Sequence, residues 1–225
     1  MHISPDSLVL FNFGPFSLNG TILFTWIVMA LLTLGSWLVT RRLSTDITLP
    51  AWQNLLESII SGIQHELDNV LRKQPRGILP FLGTLFLFIA VSNTLSVIPG
   101  FSPPTGSLST SIALAICVFL ATPAYGISQI GFLNYISNYF RPTFLMFPFN
   151  IMGELSRTLA LAIRLFGNVM SSTMIGAILL VIAPLFLPVF MQLFGLLTGL
   201  VQAYIFFILA AVYISAGMEI QQQKS

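Results

Sequence analysis

Apolar residues fall in blocks about as long as a bilayer is thick, and polar residues gather in the gaps between them. From Thr21 to Thr40 the sequence TILFTWIVMALLTLGSWLVT carries no charge and is long enough to cross the hydrocarbon layer as a helix. Leu79 to Ile98 reads as a second span, closed by Pro99-Gly100 and the turn-rich FSPPTG. A third covers Leu108 to Ile127, with Pro123 expected to kink or end it. The run from 143 to 182 is roughly twice as long as a perpendicular crossing needs, so it must tilt, kink or begin outside the bilayer. Pro184 and Pro188 mark a turn, after which Val189 to Met218 returns as another long helix.

Two segments have a different pattern. Over 50–74, Trp52, Leu55, Leu56, Ile59, Ile60, Ile63, Leu67, Val70 and Leu71 recur at helical spacing while Glu57, Gln64, His65, Asp68 and Arg72 take other positions. Such a helix lies on the inner membrane surface, packs on membrane helices, or docks a partner's membrane anchor. Gly131 to Tyr139, with Phe132, Tyr135 and Ile136, reads as a short interfacial stretch, where aromatic rings sit at headgroup level. The expected fold is therefore an all-α polytopic membrane protein with five bilayer-crossing elements and a cytoplasmic surface helix. Residues 1–225 form one membrane domain, 1–20 an external segment, and 143–218 a long, strongly tilted hairpin.

Charge fixes the orientation. With the N-terminus outside and the C-terminus inside, Arg41, Arg42, Arg72, Lys73, Arg76, Arg141 and Lys224 all fall on the cytoplasmic side. Only Asp6 precedes the first span, so the segment reads as a retained span and not as a cleaved leader, which needs a positive region first.

Composition narrows the function. Asp, Glu, Lys and Arg make up 7% of the 225 residues, against about a quarter in soluble domains, so water is not the main solvent. A net charge of +2 without a basic cluster argues against a nucleic-acid partner. Cys117 is the single cysteine, and His2 and His65 have no ligand company at a recognisable spacing. No phosphate-binding glycine loop, GxSxG, HExxH or intramembrane Asp pair occurs, so no catalytic site is expected.

Arg157 and Arg164 break the topology's rule. Both lie in GELSRTLALAIRLFGNVMSS, inside the fourth span, and an arginine in hydrocarbon costs about 2.5–3.5 kcal/mol or more. At 100° per residue, Glu154, Arg157, Arg164, Asn168, Ser171 and Ser172 share one face within about 100°. Glu154 and Arg157, three apart, can pair. Arg164 has no acidic residue three or four positions away, and the remaining carboxylates lie in terminal, loop or surface segments. A membrane arginine without an internal carboxylate points to an external one. On the returning helix, Gln192, Gly195, Gly199, Gln202 and Tyr213 occupy one face with Thr198 beside them, combining close approach with polar groups that can line a hydrated path. Ser107, Ser109, Thr110 and Ser111 can line an external entrance or cap a helix. From residues alone, a small-anion secondary transporter and a non-conducting structural membrane subunit stay open as alternatives. The transporter predicts an internal repeat, and none is visible.

Arg164-Leu165-Phe166-Gly167-Asn168, preceded by Glu154 and followed by Gln202-Ala203-Tyr204-Ile205-Phe206, resembles subunit a of the rotary F-type ATP synthases, as does the order of helices along nearly the whole chain. The resemblance implies a stator subunit that couples H+ or Na+ movement to rotation of a membrane ring, with Arg164 as the family's essential arginine. It implies that Asn168 lies one turn on, that Gln202 faces the arginine, and that Glu154 and Arg157 lie toward the cytoplasmic side. It also implies no bound cofactor, a bacterial plasma (inner) membrane location, and as partners lipid, the ring of carboxylate-bearing hairpins and the peripheral-stalk membrane helices. Thr173 stands where many members carry glutamate, Gly195 where some carry histidine, and Ser107-Leu108-Ser109 where a DLN-like pattern is common. These departures resemble the divergent, sodium-associated branch.

Overall fold

A computed structural model describes residues 9–13, 16–41, 51–70, 77–98, 100–131, 146–182 and 187–219. Arg42, Arg72, Lys73, Arg76, Arg141, Lys224, Pro184 and the stretch 132–139 lie outside them. The five spans are helices α1 (Gly20–Thr40), α3 (Ile78–Leu95), α4 (Leu108–Ile130), α5 (Met146–Ile182) and α6 (Leu187–Glu219), with α2 (Ala51–Val70) between the first two. All five spans are long and apolar enough to cross a membrane. Helix α5 has 37 residues and α6 has 33. At about 1.5 Å per residue both exceed the roughly 30 Å hydrocarbon layer, which is the length argument for strong tilt.

Local chemistry sets the element ends. Gly77, at φ 93°, precedes α3 in the left-handed region that glycine adopts without strain, and its carbonyl accepts the Tyr125 hydroxyl at 2.9 Å. Gly131, at φ 85°, ends α4 and donates to the Ile127 carbonyl at 2.8 Å. The expected break at Pro123 does not end α4, which continues to Ile130. In a helix bundle, neighbouring chain and hydroxyl side chains compensate for the missing N–H. Here Thr122 Oγ1 donates to the Val118 carbonyl at 3.1 Å.

The N-terminal segment holds an antiparallel hairpin, β1 (Val9–Phe13) with β2 (Phe16–Asn19), which the helical reading did not anticipate. Gly14-Pro15 between two aromatic-rich runs is its turn signal. Helix α2 packs against α3 and α6 of its own chain, with Leu67 fully buried and Ile60 exposed on the other side. Of the three roles its pattern allows, this is docking on membrane helices. Helix α1 is peripheral: Val28 is buried and Phe24 meets Phe101 edge-on at 4.8 Å, while Trp26 is 72% exposed.

The core lies among α3, α4, α5 and α6. On α6 the buried positions Ala203, Phe206, Phe207, Ala210, Ala211 and Ile214 recur every three or four residues, pairing small residues with large rings. They meet Leu161 and Leu165 of α5, Ile89 of α3 and Val118 of α4.

One polar strut crosses this core. Asn93, 3% exposed on α3, donates through Nδ2 to the Gly199 carbonyl at 2.8 Å and accepts from Thr105 Oγ1 at 2.8 Å. Ser111 Oγ in turn donates to the Thr105 carbonyl at 3.1 Å. The strut requires close approach, since a Cβ at Gly199 would lie 3.0 Å from Asn93 Cβ. Gly195 is roomier, its nearest neighbour for a Cβ being Ser172 Cβ at 3.5 Å.

Gly199→Ala is therefore expected to destabilise the detergent-solubilised protein by about 1–3 kcal/mol, whereas Gly195→Ala stays within about 0.5 kcal/mol. Comparative unfolding in detergent checks this, and equal effects would contradict it.

Candidate functional site

Helices α5 and α6 form the most extensively packed pair in the fold. Two contacts set their antiparallel register: Asn168 Nδ2 donates to the Thr198 carbonyl at 3.2 Å, and Ser172 lies against Gly195. Continued by one turn, that register sets Arg164 level with Gln202.

Arg164 is exposed, while Leu161 and Leu165 on the same helix are buried. Its exposed neighbours in sequence are apolar, Ile163 on α5 and, next to the level position Gln202 on α6, Val201. Among the described residues no hydrogen bond or ion pair reaches its guanidinium. Gln202 has gone the other way. It is 5% exposed, turned into the bundle, and its Nε2 has no hydrogen-bond partner among the described residues. The two share a level, and no hydrogen bond joins them.

The polar stripe divides along its length. Glu154 is half-buried and Arg157 exposed, and the guanidinium of Arg157 lies over the Tyr213 ring of the opposite helix at 5.8 Å from its centroid. Ser171 is exposed and lies off the cavity described next. The serines of the α3–α4 loop are used structurally: Ser107 and Ser111 are buried, Ser107 Oγ pairs with Ser109 Oγ at 2.7 Å, and Ser111 holds Thr105.

A cavity of about 340 Å³ opens at the end of the bundle bounded by the α3–α4 loop and Pro188. Its polar lining comes from Asn93 of α3, Ser96 at the end of that helix, Ser102 of the α3–α4 loop, Asn168, Ser172 and Thr173 of α5, and Gln192 of α6. Val169, Leu180 and Met191 supply apolar wall, and no described residue of the lining is ionisable. Gln192 Nε2 donates to the carbonyls of Ser96 at 3.2 Å and Val97 at 2.9 Å, supplying donors to carbonyls left free at the end of α3. The structure thus gathers four expected residues, Asn168, Ser172, Thr173 and Gln192, in one cavity. Thr198 is tied in through its backbone, and its hydroxyl bonds the Phe194 and Gly195 carbonyls. Arg164, Gln202, Glu154 and Arg157 lie outside the lining.

Asn93 and Ser96 were not among the residues the sequence pattern singled out. The available signal was the polar run Ser92-Asn93-Thr94 inside an apolar span.

Residues 22–215 match the family model described as ATP synthase A chain. The chain is 55% identical over 224 residues to ATP synthase subunit a 2 of Acaryochloris marina, covering 100% of this chain and 96% of that protein. It is 57% identical over 217 residues to ATP synthase subunit a of Nitrosospira multiformis, covering 96% and 86%. Against ATP synthase subunit a 1 of Chlorobaculum parvum it is 54% identical over 225 residues, covering 100% of both. With the five-span helical fold, the matched length and these identities, the chain belongs to the ATP synthase subunit a family.

Proposed function

We propose that this membrane-embedded stator subunit provides two aqueous half-channels and a fixed arginine, coupling H+ or Na+ movement to rotation of a ring of carboxylate-bearing hairpins. The observation that carries the reading is Arg164: a permanent cation, exposed on an apolar surface of the α5–α6 hairpin, with no partner among the described residues. A guanidinium keeps its charge, which is spread over a planar fork, whereas a lysine in the same place can lose its proton.

The chemistry follows from the cost of ionisation in lipid. A ring carboxylate is neutralised by its ion while it travels through hydrocarbon, and an emptied carboxylate is tolerable only opposite a positive charge. Arg164 supplies that charge, and the same charge blocks a direct leak between the half-channels. The cavity lined by Asn168, Ser172, Thr173 and Gln192 is the outer half-channel, with the N-terminus outside and the C-terminus cytoplasmic. Gln202, buried level with Arg164 with a spare amide nitrogen, holds water or the passing ion's shell. Glu154 and Arg157 stand toward the inner path, and Ser171 and Thr198 flank the hairpin seam. ATP chemistry lies elsewhere in the complex. Each charge crossing 100 mV contributes about 2.3 kcal/mol, so several ions move per ATP. Peripheral-stalk helices and a bacterial plasma membrane location complete the reading.

In vesicles containing the whole complex, Arg164→Ala is expected to abolish ATP-driven ion uptake while the complex still assembles; coupled transport at the wild-type rate would overturn the assignment. Ion identity is read from the same vesicles. Because the outer cavity has no ionisable lining among the described residues, ²²Na+ uptake that persists with a protonophore is expected. Na+-independent acidification abolished by the protonophore would instead identify protons carried along water.

A further inference from the structure

Helix α1 is held to the bundle along one side and near one end. Its buried residues Thr21 and Val28 lie in its first nine positions, and from Met29 to Arg41 no described residue is buried. At 100° per residue, Leu23, Trp26, Ala30, Leu34, Trp37 and Arg41 fall within about 80° of one another, opposite Val28, and all six are exposed. This stripe faces away from the bundle, apolar along its length and ending in a cation. The Arg41 guanidinium lies over the Trp37 ring, 5.1 Å from its centroid. Among the described residues, neither its N–H groups nor the Trp37 indole N–H has an acceptor. No Asp or Glu occurs between Asp6 and Asp46, so the helix end keeps its positive charge. An anion near a helix C-terminus would ordinarily meet unpaired carbonyls. Here Thr40 Oγ1 donates to the Ser36 carbonyl at 2.7 Å, and the Arg41 backbone N–H to the Trp37 carbonyl at 3.0 Å.

We propose that Arg41 and Trp37 bind the headgroup phosphate of an anionic phospholipid, in the leaflet at the C-terminal end of α1, with its acyl chains lying along Leu34 and Ala30. The guanidinium fork and the indole N–H are the donors, and a tryptophan at this end of a span sits at headgroup depth. The ring holds the guanidinium in place, so less side-chain freedom is lost when the phosphate arrives. From Arg41 back to Ala30 is about 16 Å at 1.5 Å per residue, half of the roughly 30 Å hydrocarbon layer and so the depth of one leaflet. Charge selects the lipid class. A zwitterionic headgroup brings a cation of its own, whereas an anionic one neutralises Arg41, which has no carboxylate on its own helix. A protein helix covering the same stripe would bury the guanidinium, and a lipid headgroup leaves it hydrated at the membrane surface. The bound lipid thereby steadies the half of α1 that its own chain leaves unpacked.

The test uses the whole complex in phosphatidylcholine vesicles that carry a trace of photoreactive phosphatidylglycerol or, in parallel, of phosphatidylcholine with the same diazirine-bearing acyl chain. After irradiation, lipid attached to the peptide holding residues 23–41 is quantified by mass spectrometry. At equal probe concentration, phosphatidylglycerol is expected to label this peptide about fivefold more than phosphatidylcholine. Arg41→Gln should bring the ratio close to one. Trp37→Leu keeps every charge and should lower the ratio at least about twofold, and it carries the test alone if Arg41→Gln does not assemble. Equal labelling by the two probes in the wild type would overturn the proposal. So would an unchanged ratio in Trp37→Leu, which would mean diffuse attraction to a basic helix end and not a site. Absence of labelling by either probe, with other lipid-facing peptides labelled, would mean that a partner helix covers the stripe, and would overturn it as well.

Discussion

A guanidinium at the surface of an apolar helix pair, without an anion among the described residues, is the constraint on which the rest of this structure depends. Hydrocarbon offers no hydrogen bonds, so most of the polar groups in the described spans have a partner within the fold, Ser92 Oγ and Gln202 Nε2 being buried exceptions. Threonine and serine hydroxyls return to their own helix, as Thr25 to the Thr21 carbonyl and Thr158 to the Glu154 carbonyl. Asn93, Asn168 and Gln192 cross to neighbouring helices. Arg157 takes the Tyr213 ring. Against that background Arg164 has no partner among the described residues, and a surface that turns it outward is stable only where an anion or water is supplied.

The glycines of α6 connect this constraint to the packing. At Gly199 the α3 and α6 backbones approach closely enough for Asn93 to reach the Gly199 carbonyl, and one turn earlier Gly195 admits Ser172 of α5. Larger residues would push α6 away from both neighbours and break the amide bridges that orient the cavity wall. Small residues in the seam thus serve the polarity of the site as well as the approach of the helices.

Much of the fold was legible because the bilayer simplifies it. Long apolar runs marked all five spans within a few residues, and the excess length of 143–182 announced a helix that could not stand upright. Pro123 misled in part, because the rule that proline breaks helices comes from water, and here α4 continues past it. The β1–β2 hairpin was missed because two runs of four or five residues hold too little pattern to compete with a helical context. In the site, Arg164, Asn168 and Gln192 stood out as polar residues at helical spacing. Asn93 did not, because its importance comes from Gly199, more than a hundred positions away, and no periodicity reports such a contact. The inward turn of Gln202 was equally hidden, since a helical wheel gives its angle and not which neighbour covers it.

The most direct measurement of the central claim is disulfide cross-linking in the assembled complex, in a Cys117→Ala background. Val201→Cys, exposed on α6 next to the position level with Arg164, is paired with single cysteines beside the ion-binding carboxylate of the ring hairpin. The account predicts rapid cross-linking that places Arg164 opposite that carboxylate. Failure to cross-link at any ring position, with labelling of Val201→Cys by a lipid-soluble thiol reagent in the intact complex, would mean that this surface faces lipid, and would contradict it.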